Sequence, residues 1–164
     1  MKTLADIGLI GLAVMGENLV LNMESKGFTV AVFNRTVEKV DQFMAGRGAG
    51  KKFIGAHSIA ELCASLERPR TVMMLVKAGK PVDDFIEMIM PHLEPGDIII
   101  DGGNSHFPDT IRRAKYVESK GFLFIGRVDS TNQPANTKSA IPARGTPNCV
   151  RLSAKVRGRV SRLL

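Results

Sequence analysis

The sequence predicts an α/β fold of the doubly wound type, in which a parallel sheet is covered by helices on both faces. Three observations point to it: β-branched and aromatic runs alternate with segments of helical period, glycines and prolines mark most joins, and the first join is a glycine-rich turn between a strand and a helix. With 164 residues, 44% of them apolar and 24% charged, the chain has the composition of a globular domain rather than of a fibre or a disulfide scaffold.

The first two pairs of strand and helix follow directly from the sequence. Residues 6–12 form an apolar run that ends in glycines, which predicts a strand followed by a tight turn. Residues 14–26 carry apolar side chains at helical spacing and stop at Gly27, a residue suited to the position after a helix. The β-branched and aromatic residues 29–33 predict a second strand, and Thr36 is placed to cap the next helix.

The middle of the chain continues this alternation. Ser58-Ile-Ala-Glu61 has the spacing of a capping box ahead of a helix at 62–66. Residues 71–76 predict the next strand, and Pro81 suits the first turn of a helix that continues to Ile89.

Two more strands complete the predicted sheet. Glu94-Pro-Gly-Asp97 is a turn that leads into a strand at 98–101. Pro108 opens a helix that ends at Gly121, and residues 122–125 predict a last strand. Strands that alternate with helices at this spacing predict a parallel sheet.

Charge divides the chain after Gly126. The sequence has 23 Lys and Arg against 16 Asp and Glu, and the formal net charge of +7 is by itself typical of a nucleic-acid partner. Eight of the basic residues and one acidic residue follow Gly126, so residues 1–126 hold 15 of each sign. Residues 127–164 also lack aromatic residues and Met, so we expect a folded domain at 1–126 and a disordered or weakly helical basic tail at 127–164.

Cysteine content and hydropathy exclude several protein classes. Cys63 and Cys149 are too few for a secreted disulfide scaffold and lack the spacing of a metal site, so we expect free thiols and no metal. No run of about 18 apolar residues occurs, and Gly8 and Gly11 interrupt the apolar stretch 7–15. We therefore expect a cytoplasmic protein without a membrane partner.

The most distinctive motif follows the first predicted strand. Gly11-Leu12-Ala13-Val14-Met15-Gly16 is a G-x-A-x-x-G form of the dinucleotide fingerprint. Gly11 permits the tight turn, Ala13 permits close backbone approach, and Gly16 permits close helix packing, which leaves backbone N–H groups and the helix dipole for a pyrophosphate. A glycine-rich turn without a ligand has the same composition, but the flanking strand and helix favour a coenzyme.

Asn34-Arg35-Thr36 follows the second predicted strand, where NAD-specific proteins usually carry a carboxylate for the ribose 2′-hydroxyl. A carboxylate there would repel a 2′-phosphate, whereas Arg35 can pair with one, and Asn34 and Thr36 can add neutral hydrogen bonds. The triplet therefore predicts NADP as the coenzyme. The alternative is that Arg35 is a solvated charge and Thr36 only a helix cap.

Two further strand ends carry candidate ligand residues. Val76-Lys77-Ala78-Gly79 follows one strand, and Asp101-Gly102-Gly103-Asn104-Ser105 follows the next. Ligands of open α/β sheets bind beyond the carboxyl ends of the strands, so we expect both loops near a nicotinamide. Taken alone, each loop is equally compatible with a plain turn or, for Lys77, a surface charge.

Together these motifs, in their order and spacing, resemble the coenzyme domain of 6-phosphogluconate dehydrogenase, the decarboxylating oxidoreductase of the pentose phosphate pathway and of gluconate utilisation. The likeness covers residues 1–126 and implies a Rossmann-type NADP-binding domain. The Leu-Ala-Val-Met sequence after Gly11 and the Asn-Arg-Thr triplet point to this family rather than to related β-hydroxyacid dehydrogenases.

The resemblance implies a role for each motif. Residues Gly11 to Gly16 would hold the pyrophosphate and residues Asn34 to Thr36 the 2′-phosphate. Residues Val76 to Ala78 would line the coenzyme site, and Asn104 would touch both coenzyme and substrate. The implied reaction is oxidation of 6-phosphogluconate at C3 by hydride transfer to NADP⁺, followed by loss of carbon dioxide to give ribulose 5-phosphate.

The resemblance ends after Gly126. Members of the family continue into a Val-Ser-Gly-Gly loop that binds the substrate and into a helical domain that supplies a catalytic Lys and Glu and forms the homodimer. Here Arg127 follows instead, and neither Lys138 nor Lys155 lies in a matching motif, so no catalytic residue is assigned. We expect this chain alone to be inactive, because proton abstraction needs a positioned base within hydrogen-bond reach.

Several alternatives stay open. Residues 127–164 are the product of a shifted reading frame or aberrant splice, an unrelated extension, or a basic arm for nucleic acid. The abrupt change in composition favours the first, since a basic arm would show Lys and Arg more clustered than in 151–162. The alternative functions are an inactive NADP-binding fragment and another β-hydroxyacid dehydrogenase.

Overall fold

Six parallel strands form the centre of the computed structural model, which describes residues 3–126. In chain order the strands are β1 (Ile7–Ile10), β2 (Val30–Phe33), β3 (Phe53–Gly55), β4 (Thr71–Met74), β5 (Ile98–Asp101) and β6 (Leu123–Gly126). Their order across the sheet is β3-β2-β1-β4-β5-β6, and every neighbouring pair is parallel. The predicted doubly wound parallel sheet is confirmed.

One helix connects each strand to the next. The helices are α1 (Val14–Ser25), α2 (Val37–Ala45), α3 (Ile59–Ala64), α4 (Lys80–Ile89) and α5 (Phe107–Ser119), and a 3₁₀ turn at Met90–His92 follows α4. Parallel strands require such crossover connections, because a short hairpin can join only antiparallel strands. Each predicted helix overlaps one of these five.

The structure confirms some of the predicted helix-end signals and differs at others. The Ser58 hydroxyl accepts a hydrogen bond from the Glu61 N–H at 3.1 Å, as a capping box requires, but the Glu61 carboxylate accepts from the His57 N–H instead of that of Ser58. Thr36 occupies the cap position of α2 and makes no side-chain cap bond. Gly27 follows α1 with a φ of 95°, which glycine adopts without strain.

The strands differ from the predicted bounds for local reasons. The pattern predicts no strand at Phe53–Gly55, because three residues are too few to show a period of two. β1 stops at Ile10, since Gly11 has a φ of 110° and turns the chain. The strand predicted at 71–76 ends at Met74, although the next N–H, that of Leu75, still donates to the Ile10 carbonyl at 2.8 Å.

The core is largely apolar but includes a few buried polar and charged side chains, of which Arg113 is the largest. All residues of the four inner strands β1, β2, β4 and β5 are buried, as expected for a sheet covered on both faces. In α5, however, Ile111 and Tyr116 are 40% and 38% exposed, and the buried residues are Thr110, Arg113 and Val117. A buried arginine is stable only when its donors are paired, so α5 has to meet partners for Arg113.

Within residues 3–126, no helix is both long enough and apolar enough to cross a lipid bilayer. The basic tail predicted at 127–164 lies outside the described residues. The same holds for Cys149, Lys138 and Lys155 and for the basic residues between 151 and 162.

Candidate functional site

The connections from the sheet change direction between β1 and β4. From β1 the chain winds toward β3, and from β4 it winds toward β6, so the loops leaving these two strands diverge and open a crevice. A cavity of about 410 Å³ lies there, lined by residues 13–16, 75–78 and 102–104. The fold thus brings the glycine motif together with the two later strand-end loops.

Gly11 and Gly16 are both required by backbone contacts. A Cβ at Gly11 would lie well inside 3.0 Å of the Leu75 carbonyl oxygen, and one at Gly16 well inside 3.0 Å of the Gly11 carbonyl oxygen. Backbone atoms cannot move aside as a flexible side chain can, so neither position accepts another residue without a local shift. The turn is consequently narrow, and α1 starts directly against it.

The start of α1 offers unpaired hydrogen-bond donors. The N–H groups of the first turn of a helix have no intrahelical acceptor, and here they belong to Val14, Met15 and Gly16. Ala13 at the cap position provides no side-chain acceptor for them. Together with the helix dipole, these N–H groups attract an anion.

Two large apolar side chains flank the same helix end. Val14 is 74% exposed and Met15 70% exposed, and both line the cavity. Exposed apolar side chains beside unpaired backbone donors are typical of a pocket that binds a ligand with both apolar and anionic parts.

Asn34 connects the end of β2 to the glycine turn. Its Oδ1 accepts a hydrogen bond from the Leu12 N–H at 3.0 Å, and its Nδ2 donates to the Thr36 carbonyl oxygen at 3.1 Å. The Leu12 N–H is therefore engaged within the protein. Sequence patterning does not reveal this use of Asn34, because the two partners are 22 residues apart.

The side chains of Arg35 and Thr36 differ from that of Asn34 in having no hydrogen-bond partner among the described residues. Both are exposed, and among the described residues Arg35 has no ion-pair partner. Lys39, one helical turn later, is likewise exposed and lines a second cavity, of about 460 Å³, between α1 and α2. The end of β2 therefore presents positive charge that no carboxylate of residues 3–126 neutralises.

The candidate residues extend along one edge of the sheet. Arg35 follows β2 and Asn104 follows β5, and β1 and β4 lie between these strands. Three interstrand spacings of about 4.8 Å put the two strand ends about 14 Å apart. A ligand that reaches both must be extended and must pass over the glycine turn.

The loops after β4 and β5 form the other side of the cavity. Lys77, Ala78 and Asn104 are exposed there, and the Asn104 side chain has no hydrogen-bond partner among the described residues. A Cβ at Gly103 would lie 3.1 Å from the Val76 carbonyl oxygen, so the two loops are in close contact. This side of the cavity therefore offers a free amide on a closely packed support.

A buried arginine that the sequence analysis did not single out lies behind these loops. Arg113 is 1% exposed, and its Nε and Nη2 donate to the two carboxylate oxygens of Asp83 at 2.9 and 3.0 Å. Nη2 also donates to the Gly79 carbonyl oxygen at 3.0 Å, and Nη1 donates to the Ser105 hydroxyl at 3.1 Å. The hydrogen bonds to Asp83 raise the pKa of Arg113, which therefore stays charged despite its burial.

Asp101 completes this buried network. It is 1% exposed and accepts hydrogen bonds from the Gly103 N–H, at 3.0 Å, and from the Ser105 hydroxyl. Its Oδ2 also lies 3.8 Å from Nη1 of Arg113. Most residues of α5 are polar, and a charged residue is ordinarily assigned to the surface, so the helical period does not reveal that Arg113 is buried.

Cys63, the cysteine within residues 3–126, offers no reactive thiolate to this site. Burial raises the pKa of the Cys63 thiol to about 11, with Arg70 opposing the shift, so the reactive thiolate is scarce at neutral pH. Within residues 3–126, no three His, Cys, Asp or Glu side chains are grouped in a way that could hold a metal ion.

Comparison with known families and proteins agrees with this geometry. A family model described as the NAD binding domain of 6-phosphogluconate dehydrogenase matches residues 6–141. A decarboxylating 6-phosphogluconate dehydrogenase from Cunninghamella elegans is 64% identical over 125 residues, which are 76% of this chain and 26% of that protein. The Dictyostelium discoideum enzyme is 66% identical over 121 residues, 74% of this chain and 24% of that one. The chain thus spans about a quarter of the length of these relatives.

Solved structures give the same result for the fold. Plasmodium falciparum 6-phosphogluconate dehydrogenase, studied with its cofactor NADP⁺ and its substrate 6-phosphogluconate, is 46% identical with a TM-score of 0.67, over 73% of this chain and 26% of that chain. Mycobacterium tuberculosis 3-hydroxyisobutyrate dehydrogenase has a TM-score of 0.64 at 20% identity, over 75% of this chain and 40% of the other. At that identity the second likeness concerns the fold alone.

Proposed function

The chain belongs to the family of NAD binding domains of 6-phosphogluconate dehydrogenase, and from this premise we propose that residues 3–126 bind NADP⁺ along the carboxyl edge of the sheet. The observation that carries the proposal is the exposed Arg35, which has no ion-pair partner among the described residues, beside a helix start whose first-turn N–H groups have no intrahelical acceptor. An anion at each of these two places is what a dinucleotide with a 2′-phosphate supplies.

The pyrophosphate fits the start of α1. Gly11 and Gly16 keep the backbone close, and the N–H groups of the first turn donate to the phosphate oxygens. Leu12 takes part through its position in the turn, since its own N–H is engaged by Asn34.

The 2′-phosphate fits the end of β2. Arg35 would pair with the phosphate through its planar guanidinium, and the Thr36 hydroxyl, which caps nothing, would add a neutral hydrogen bond. Asn34 sets the distance between this phosphate site and the glycine turn, because its amide accepts from the Leu12 N–H and donates to the Thr36 carbonyl oxygen.

The nicotinamide end fits the loops after β4 and β5. Val76, Lys77 and Ala78 would line one side of the nicotinamide nucleotide, and the free amide of Asn104 would orient it and reach the substrate. When bound, NADP⁺ supplies a hydride acceptor. The residues of this chain bind and orient, and none of the described residues is assigned a proton-transfer role.

The activity we propose for the whole protein is NADP-dependent oxidative decarboxylation of 6-phosphogluconate to ribulose 5-phosphate, to which this chain contributes the coenzyme part. The support is the identity of 64% and 66% to enzymes with that name. We further propose the domain boundary at Gly126, a cytoplasmic location and dimerisation through a helical domain, as the family resemblance implies. An NADP-binding chain without turnover is the second candidate, because none of the described residues is assigned a proton-transfer role.

Calorimetric titration of the chain with NADP⁺ and with NAD⁺ tests the proposal. We expect NADP⁺ to bind more tightly, and Arg35→Ala to weaken NADP⁺ about thirtyfold while leaving NAD⁺ unchanged, since a charge-assisted hydrogen bond contributes about 2 kcal/mol. Arg68→Ala is the matched control, because Arg68 is exposed, pairs with Glu94 and precedes β4 at the opposite edge of the sheet. A chain that melts cooperatively and binds neither coenzyme would overturn the proposal.

A further inference from the structure

Two loops line the nicotinamide side of the cavity, and a single buried guanidinium holds both. We name residues 75–79 the β4 loop and residues 102–105 the β5 loop. Arg113 donates to the carbonyl oxygen of Gly79, the last residue of the β4 loop, and to the hydroxyl of Ser105, the last residue of the β5 loop. The relative position of the loops therefore depends on one side chain of α5.

Asn104 is fixed through both of its neighbours. The Asp101 carboxylate accepts from the Gly103 N–H with one oxygen and from the Ser105 hydroxyl with the other. Ser105 in turn receives a hydrogen bond from Arg113, so Asp101 and Arg113 clamp it between them. The Asn104 amide itself stays exposed and free at the rim of the cavity.

Asp83 fixes the guanidinium from the side of α4. It accepts from Nε and Nη2 of Arg113, which orients the plane of the side chain and leaves Nη1 pointing to Ser105. The guanidinium reaches all three partners because its donors lie on three separate nitrogens, whereas the three donors of a lysine ammonium share one nitrogen on a flexible stem.

We propose that Arg113 is a positioning residue for the nicotinamide end of the coenzyme. It sets the separation of the β4 and β5 loops, and thereby the place of Asn104 relative to Val76 and Ala78, while it touches no ligand itself. This inference rests on the proposed NADP⁺ site.

Comparing two ligands separates positioning from general stability. NADP⁺ spans the whole edge of the sheet, whereas adenosine 2′,5′-bisphosphate carries only the part assigned to Arg35 and the glycine turn. We expect Arg113→Lys to weaken NADP⁺ about tenfold and to change the affinity for adenosine 2′,5′-bisphosphate less than about twofold, measured by calorimetry well below the melting temperature.

The chain provides a matched control next to Arg113. Arg112 also donates to both oxygens of Asp83, at 3.0 and 3.1 Å, but it is exposed and contacts neither loop. Arg112→Lys should therefore leave both affinities unchanged. Equal weakening of both ligands by Arg113→Lys, or no weakening of either, would overturn the inference and leave the proposed function intact.

A milder variant guards against the possibility that Arg113→Lys impairs folding. A measurement without ligand tests the inference independently of coenzyme binding. Ser105→Ala removes the hydrogen bonds that Ser105 makes with Arg113 and Asp101 but keeps the bond from Arg113 to Gly79. It should weaken NADP⁺ about threefold and leave the affinity for adenosine 2′,5′-bisphosphate nearly unchanged. In the ligand-free chain, Arg113→Lys should shift the NMR amide signals of Ala78 and Gly103, and Arg112→Lys should shift neither. Unshifted signals in Arg113→Lys would overturn the inference even if the wild-type chain bound no coenzyme.

Discussion

The two ends of the candidate site use arginine in opposite ways. Arg35, beyond β2, is exposed and has no ion-pair partner among the described residues, whereas Arg113, behind the β4 and β5 loops, is 1% exposed and donates four hydrogen bonds. A free cation can select an incoming anion, and a fully engaged cation can only shape its surroundings. The comparison shows that the role of a charged side chain near a binding site depends on which groups already neutralise it.

The largest effect is expected where the two sides meet, at the glycine turn. Gly11→Ala should lower the free energy of unfolding by about 3 kcal/mol, because it combines a positive φ with a clash against the Leu75 carbonyl oxygen. Gly27→Ala is the control, since Gly27 has a φ of 95° and nothing within 4 Å of an added Cβ, and should cost about 1 kcal/mol. Urea denaturation measures both, and equal losses would show that the contact with Leu75 is unimportant.

Asp101→Asn disrupts the buried hydrogen-bond network around Arg113. The amide would place a donor against the Ser105 hydroxyl or the Gly103 N–H, so we expect a loss of about 2 kcal/mol in the free energy of unfolding. Asp109→Asn serves as the control, because Asp109 makes no hydrogen bond to the buried network among the described residues and its ion pair with the exposed Arg112, at 3.6 Å, should contribute less than about 0.5 kcal/mol. Similar losses in the two variants would contradict the role given to the network.

Local sequence patterns predict the features that depend on neighbouring residues, but not those that depend on residues far apart in the chain. Five of the six strands and all five helices follow from local period and punctuation. The cavity is lined by residues 13–16, 75–78 and 102–104, which belong to the glycine motif and to the two loops that the sequence singles out. The burial of Arg113 depends on Asp83, 30 residues earlier, and on a carbonyl oxygen 34 residues earlier, and no local pattern carries that information.

Asn34→Ala tests whether this residue sets geometry rather than selectivity. Losing its bonds to Leu12 and Thr36 should cost about 1 kcal/mol of unfolding free energy and weaken NADP⁺ and NAD⁺ by the same factor. Asn18→Ala is the control, because Asn18 only accepts a hydrogen bond from Arg47 at the exposed surface. If Asn34→Ala weakened NADP⁺ alone, Asn34 would belong with Arg35 as a reader of the 2′-phosphate.

The smallest effect concerns pH. Hydrogen bonding from Arg113, with a further contribution from Arg112, holds the pKa of the Asp83 carboxyl below its ordinary value despite partial burial. The stability that Asp83 contributes is therefore present above the ordinary aspartate pKa of about 3.9 and is lost as the pH falls through the lowered value. Urea denaturation between about pH 6 and about pH 3 should show the difference in unfolding free energy between wild type and Asp83→Asn shrinking toward acid. A difference that grew toward acid would contradict this sign.

Because the Leu12 N–H donates a hydrogen bond to Asn34, the adjacent positions 34 and 35 are under different structural constraints. Asn34 ties the turn to β2, while the side chain of Arg35 has no ion pair within residues 3–126 to lose. Substitutions at position 35 are consequently nearly free of epistasis with the scaffold, and substitutions at position 34 are not. In the NADP⁺ site that we propose, the charge that faces the 2′-phosphate can therefore be exchanged without rebuilding the turn beside it.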